Sequence, residues 1–85
     1  MYKYEDMISQ LADKHGSVMY AQIRRNVKSC LARSGAVTMG KAISGTTGNT
    51  LLMLACVDHM VKGGELREVT KRQNVEAQHR VFVQQ

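Results

Sequence analysis

The histidines and cysteines of the chain are the residue types best suited to metal binding or catalysis. Cys56 and His59 are spaced three apart, which would place two metal-ligating side chains on one face of a helix. A structural zinc site needs a second pair, and His15, Cys30 and His79 do not provide one with comparable spacing. We therefore interpret Cys56 as a core thiol and His59 as a polar residue near a helix C-terminus, and we expect no metal.

A second chemically suggestive motif is the segment 35–42, which nearly matches the phosphate-binding loop pattern Gly-x-x-x-x-Gly-Lys-Ser/Thr. Ala42 replaces the hydroxyl residue that would bind magnesium, and the segment follows a predicted helix where a buried strand is required. No nucleophile and base, and no pair of carboxylates, can be assigned to a common cleft. We therefore expect a protein that is not an enzyme and that uses no cofactor.

The composition is typical of a single folded domain over residues 1–85. The chain is 44% hydrophobic and 22% charged and contains no proline. Two cysteines are too few for a disulfide framework, which predicts a reducing, cytoplasmic environment. The longest apolar run, residues 51–57, is far shorter than the roughly 20 residues that span a bilayer, and no signal-peptide pattern is visible, so we expect no membrane association.

Positive charge is concentrated in two parts of the chain, whose formal net charge is +5. Residues 17–50 contain no acidic side chain, and residues 71–85 hold three basic side chains against one glutamate. The basic residues of the first zone are Arg24, Arg25, Lys28, Arg33 and Lys41. This distribution favours a polyanion contacted at two places.

Apolar residues at helical spacing predict two helices in the first part of the chain. The first covers residues 4–15 and is ended by Gly16. Ser17 is the predicted N-cap of the second helix, which runs to about Arg33 and stops at Gly35. This second helix has one apolar stripe and an otherwise basic surface.

Two further helices flank a glycine-bracketed turn. A short helix begins after the cap Thr38, and residues 45–48 form the turn. Asn49 or Thr47 caps the next helix, which reaches about Lys62. Its predicted core face comprises Leu52, Met53, Cys56, Val57 and Met60, while Leu51 and Leu54 are expected to point outward.

After Gly63 and Gly64 the apolar period changes from helical to two, which predicts a β-hairpin. The first strand covers residues 65–70, and the loop 71–74 gives the hairpin a basic tip. In the second strand, the predicted core-facing row consists of Val75, Ala77, His79, Val81 and Val83.

The order of short helix, tight turn, helix, Gly-Gly and hairpin resembles the winged helix-turn-helix family of DNA-binding domains. The most specific part is the segment 60–66, which is similar to the family's exit from its recognition helix. The resemblance implies a mainly α fold with a C-terminal β-hairpin. Residues 1–16 would be an extra N-terminal helix, 17–62 a helical core with the helix-turn-helix at about 38–62, and 65–84 the hairpin wing.

The resemblance also implies a function, that of a small transcriptional regulator of the phage, plasmid or bacterial type that binds double-stranded DNA. Asn49 is the expected base-reading residue, because an amide side chain can pair with adenine through two hydrogen bonds. Thr46, Thr47 and Thr50 would contact DNA beside it. The expected phosphate contacts are Arg24, Arg25, Lys28 and Lys41, together with Lys71 and Arg72 at the wing tip.

A second function, of another class, follows from the apolar outer face of the helix 49–62. Leu51 and Leu54 would be exposed there, and the helix has no lysine or arginine before Lys62. Such a face suits a protein-interaction module that acts as an adaptor or inhibitor. It also offers apolar surface for a homodimer, which we expect in the DNA-binding interpretation as well.

Overall fold

The structure is a computed structural model that describes residues 2–70 and 79–85. It is mainly helical, with one small antiparallel sheet. The elements in chain order are α1 (Tyr4–Leu11), α2 (Lys14–Ser34), β1 (Ala36–Thr38), α3 (Met39–Ala42), α4 (Thr50–Lys62), β2 (Leu66–Glu68) and β3 (Val81–Gln84). Within the described residues, no helix has the length and apolar character needed to cross a membrane.

The junction between the first two helices differs from the prediction. Asp13 is the N-cap of α2, and its carboxylate accepts a hydrogen bond of 2.9 Å from the backbone N–H of Gly16. Gly16 therefore lies inside the first turn of α2 and does not end α1, and Ser17 is not a cap. The physical reason is that an aspartate three residues ahead satisfies the free N–H groups of this turn, while glycine lets the two helices approach closely.

The other predicted helix boundaries are confirmed. Gly35 ends α2 in the left-handed conformation, with a φ of 78°. The hydroxyl of Thr38 caps α3 by accepting from the backbone N–H of Lys41 at 3.2 Å. Asn49, and not Thr47, caps α4, and that helix ends at Lys62.

The sheet has three strands in the order β1-β3-β2, so it contains one strand more than the predicted hairpin. In β1, Val37 lies opposite Phe82 of β3, and Glu68 of β2 lies opposite Phe82 on the other side. Residues 71–78, which include the predicted basic loop and the start of the predicted second strand, lie outside the described residues.

The predicted inward face of the second strand is wrong. Phe82 is fully buried, whereas Val81 and Val83 are half-buried and His79 is exposed. A strand buries alternate residues, and the large phenyl ring removes more apolar area from water than the flanking valines do. The core therefore takes Phe82 together with Ile23, Met39, Val57 and other apolar side chains of α2, β1, α3 and α4.

The base of the hairpin is fixed to α4 by an arginine. The Nη2 atom of Arg80 lies 3.0 Å from a carboxylate oxygen of Asp58 and 2.8 Å from one of Glu68. The hydroxyl of Tyr2 donates a hydrogen bond to the second oxygen of Asp58. This partly buried network connects the N-terminus, α4 and the two hairpin strands, and it raises the pKa of Arg80 above its ordinary value, first through its hydrogen bonds to Glu68.

Candidate nucleic-acid interface

One face of α2 lies beside the segment 40–49 and borders two clefts with it, which we together call the groove. The residues of α2 in this groove lie on one side of the helix, in pairs or singly at intervals of three or four positions. They are Lys14, His15, Val18, Met19, Gln22, Asn26, Ser29, Cys30 and Arg33. The groove has two parts, which we call the loop cleft, of about 690 Å³, and the α2–α3 pocket, of about 410 Å³.

Hydrogen bonds hold the two walls of the groove together. The amide nitrogen of Asn26 donates to the carbonyl oxygens of Ala42 and Ser44, each at 2.9 Å. On the same side of α2, the guanidinium of Arg25 donates to the side-chain oxygen of Gln22 at 3.0 Å. Asn26, near the middle of α2, therefore anchors the segment that leads from α3 into α4. This anchor fixes the width of the groove.

The loop cleft contains the N-terminal end of α4. Thr47 and Asn49 line it, opposite Lys14, His15 and Gln22 of α2. These three α2 residues were absent from the predicted site. Lys14 and His15 were missed because the sequence interpretation started α2 only after Gly16, and Gln22 was not singled out. The signal that would have found Lys14 and His15 is Asp13, whose position three residues ahead of a glycine marks the true start of the helix.

The structure gives two of the predicted DNA-contacting residues local roles. The side-chain oxygen of Asn49 accepts from the backbone N–H groups of Leu51 at 2.9 Å and Leu52 at 3.3 Å. A two-hydrogen-bond contact with adenine needs that same oxygen, so it would break a cap worth about 1 kcal/mol. Thr46 is half-buried, and its hydroxyl donates to the carbonyl of Ile43. Thr47 and Thr50 are exposed and remain accessible to a ligand.

The predicted cations fall into two groups around α2. Lys41 lies in the α2–α3 pocket, and exposed Arg25 flanks the groove. Arg24 and Lys28 lie on the opposite side of α2, facing β2. Arg24 forms an ion pair with Glu65, which lowers the pKa of that carboxyl, mainly through the hydrogen bond. Lys71 and Arg72 lie outside the described residues.

Arg33 is a further basic residue of the groove. It belongs to the basic zone of residues 17–50 but was not among the predicted DNA contacts. It lies at the C-terminal end of α2 and shares the α2–α3 pocket with Lys41. Their proximity depends on the β1 strand, which turns the chain back between them, and that strand was not predicted. Cations therefore lie at both ends of the groove, with Lys14 at one end and Arg33 and Lys41 at the other.

The apolar outer face predicted for α4 is reduced by two contacts. Leu54 is half-buried because it packs against the core, so its predicted exposure is not observed. Helix α1 covers another side, where Met7 packs against Leu52 and Ala55. Leu51 is the residue of the predicted protein interface that stays exposed, with 41% of its surface accessible.

The residues considered for metal binding are engaged in packing. Cys56 is buried, and desolvation raises the pKa of its thiol to about 11. The Nδ1 atom of His59 is 2.7 Å from the hydroxyl of Tyr4, and the ring of Tyr20 contacts the imidazole edge-on. Across residues 2–70 and 79–85, no three His, Cys, Asp or Glu side chains are grouped to hold a metal ion.

Comparisons with known proteins do not assign the chain to a family. No family model, no curated protein and no solved structure matches it. The interpretation of the groove therefore depends on its own chemistry: cations on both walls, hydroxyl and amide groups between them, and one carboxylate, Asp13, that is already used as a helix cap.

Proposed function

We propose that the chain is a winged helix-turn-helix domain that binds double-stranded DNA and regulates transcription in the cytoplasm. The order α2, β1, α3, α4, β2, β3 and the sheet order β1-β3-β2 support this proposal, since they fit the arrangement of that family. Helix α1 is then an addition at the N-terminus that packs on α4.

The observation that carries the proposal is the separation of charge in the described structure. Arg80 pairs with both Asp58 and Glu68, and Arg24 pairs with Glu65, so these three carboxylates and their two arginines lie near the hairpin. The groove side of α2 and the segment 40–49 carry cations without a carboxylate partner among the described residues. Such a surface attracts a phosphate backbone, and counterion release then supplies affinity.

The groove also supplies the polar groups that a DNA contact needs. Exposed Thr47 and Thr50 lie at the N-terminal end of α4, where the partial positive charge of the helix favours phosphate. Lys14 and Gln22 stand on the facing wall of the loop cleft. In this proposal α4 enters the DNA groove by its N-terminal end, and α2 contacts the backbone.

A homodimer belongs to the proposal, with exposed Leu51 of α4 and Ile8 of α1 as the apolar surface for pairing. Lys71 and Arg72 of the wing remain predicted backbone contacts. The second candidate function is a protein-interaction module, and the exposure of Leu51 on a helix that lacks basic residues before Lys62 favours it.

The test is the binding of purified protein to pooled random duplex DNA, measured by fluorescence anisotropy between about 50 and 200 mM salt. We expect saturable binding that weakens steeply with salt, and Lys14→Gln, which removes a cation of the loop cleft, should reduce the salt slope by about one. Lys3→Gln is the matched control, because Lys3 is exposed at the start of α1 and remote from the groove. A complete lack of binding at low salt would contradict the proposal and favour the Leu51 face as a protein interface.

A further inference from the structure

The α2–α3 pocket differs from the rest of the basic surface because it is a concave site with cations on two walls. Arg33 comes from the last turn of α2, and Lys41 comes from α3. The other polar residues that line it are Asn26, Ser29 and Ser44. None of the described residues that line this pocket is acidic.

The two cations suit different parts of one anion. A guanidinium presents N–H groups in a planar fork that matches two oxygens of a phosphate, whereas an ammonium acts as a point charge. The one contact of the Arg33 guanidinium in the described structure is a distance of 3.9 Å to the sulfur of Cys30, which is a weak acceptor. The serine hydroxyls of the pocket can donate to the remaining oxygens of such a group.

The pocket is held in shape by bonds that do not involve the charged groups of the two cations. Asn26 joins α2 to the carbonyls of Ala42 and Ser44, and the cap formed by Thr38 fixes the backbone N–H of Lys41. Little ordering of the backbone is then required when an anion enters, and this favours binding.

We propose that the α2–α3 pocket is a phosphate subsite, in which Arg33 and Lys41 hold one backbone phosphate of the bound DNA. This inference rests on the proposed function. In it, the C-terminal end of α2 contacts the nucleic acid at this pocket. The N-terminal end of α4, with Thr47 and Thr50, lies at the other part of the groove, so the pocket sets how α2 lies along the DNA backbone.

The first experiment titrates the full chain with inorganic phosphate at constant ionic strength and follows backbone amide shifts by NMR. We expect saturable shifts confined to Ser29, Arg33, Lys41 and Ser44, and their loss in Lys41→Gln and in Arg33→Gln. Lys3→Gln is the control that removes an equal charge elsewhere and should leave the shifts unchanged. Amide spectra of each variant without phosphate verify that it is folded.

The second experiment measures the affinity of the same variants for pooled random duplex DNA. One lost phosphate contact should weaken binding roughly eightfold at about 0.1 M salt, since each contact contributes a slope near 0.9. Lys41→Gln should show this loss, and Lys3→Gln should not. Localised phosphate binding together with this loss would support the inference.

The remaining outcomes separate this inference from the proposed function. DNA binding that is equally strong in Lys41→Gln and Lys3→Gln, with phosphate shifts scattered over all basic residues, would overturn the subsite and leave the function intact. Localised phosphate binding in a protein with no affinity for DNA would overturn the DNA assignment, and the ligand would then be a free phosphate group.

Discussion

Substitution of Gly16 by alanine tests the observed junction between α1 and α2, because the sign of its effect depends on that junction. Gly16 is buried in the first turn of α2. A Cβ atom added there would lie 1.8 Å from the carbonyl oxygen of Gln10 and 2.9 Å from the Cα atom of Leu11. Both are backbone atoms of the last turn of α1, so the clash cannot be relieved by movement of a flexible side chain.

The magnitude follows from two opposing effects. In an exposed helix position, glycine to alanine stabilises by up to about 1 kcal/mol. Here the helices must separate, which typically costs about 1–3 kcal/mol as overpacking. Separation also loosens α1 on α4, where burial of the Met7 side chain contributes about 1.5–3 kcal/mol. We expect Gly16→Ala to destabilise the domain by about 2–3 kcal/mol in total.

The assay is urea unfolding followed by far-ultraviolet circular dichroism, which gives the midpoint and the slope of the transition. Ser17→Ala is the control, since Ser17 is the next residue of the same turn and is exposed, and its effect should stay within about 0.5 kcal/mol. An alanine variant at position 16 that is as stable as the wild type, or more stable, would refute the close approach of the two helices.

Three further predictions concern charge and the apolar surface. Arg24 lowers the pKa of Glu65, so the ion pair stabilises the fold fully at pH values above the ordinary carboxyl pKa. This stabilisation is lost as the pH falls through the lowered pKa. In Arg24→Gln, an NMR titration should show a higher pKa for Glu65. Arg80→Met removes the cation that lies between the partly buried carboxylates of Asp58 and Glu68 and should cost about 2–4 kcal/mol in urea unfolding. Leu51→Asp should change stability by less than about 0.5 kcal/mol but convert a dimer to a monomer in light scattering. The Arg24–Glu65 pair would be contradicted if Arg24→Gln left the Glu65 titration unchanged. The Arg80 network would be contradicted by an Arg80→Met variant of wild-type stability. Pairing through Leu51 would be contradicted if Leu51→Asp left the mass unchanged.

The parts of the fold that the sequence predicted are those set by local interactions. Thr38 and Asn49 cap their helices through hydrogen bonds to backbone groups two or three residues away, and Gly35 adopts the left-handed conformation that few other residues tolerate. Helical apolar spacing likewise predicted the buried face of α4, where all five expected residues are buried.

Apart from the junction of α1 and α2, where the local cap Asp13 was missed, the parts that the sequence did not predict depend on contacts between distant segments. Strand β1 is only three residues long and is defined by its pairing with β3 across more than half of the chain, so it has no local periodicity of its own. The sequence predicted Phe82 on the outward face of its strand, because an alternating pattern fits either face equally well. In the structure the larger side chain, Phe82, is the one buried in the core.

The candidate site was likewise predicted only in part from the sequence. The basic character of α2 and α3 was evident from the absence of acidic residues between positions 17 and 50. The grouping of Arg33 with Lys41, and of Lys14 with Thr47, arises from tertiary packing. The use of the Asn49 oxygen as a cap became evident only with the hydrogen bonds around it.

The most direct test of the proposed function is a map of the protein surface that duplex DNA contacts, obtained from backbone amide shifts and signal broadening on titration. The charge separation predicts that affected amides lie along α2, in the segment 40–49 and at the start of α4. Changes confined to α1 and the surroundings of Ile8, with none along α2 or in the segment 40–49, or no change at all at low salt, would contradict a DNA-binding groove on α2.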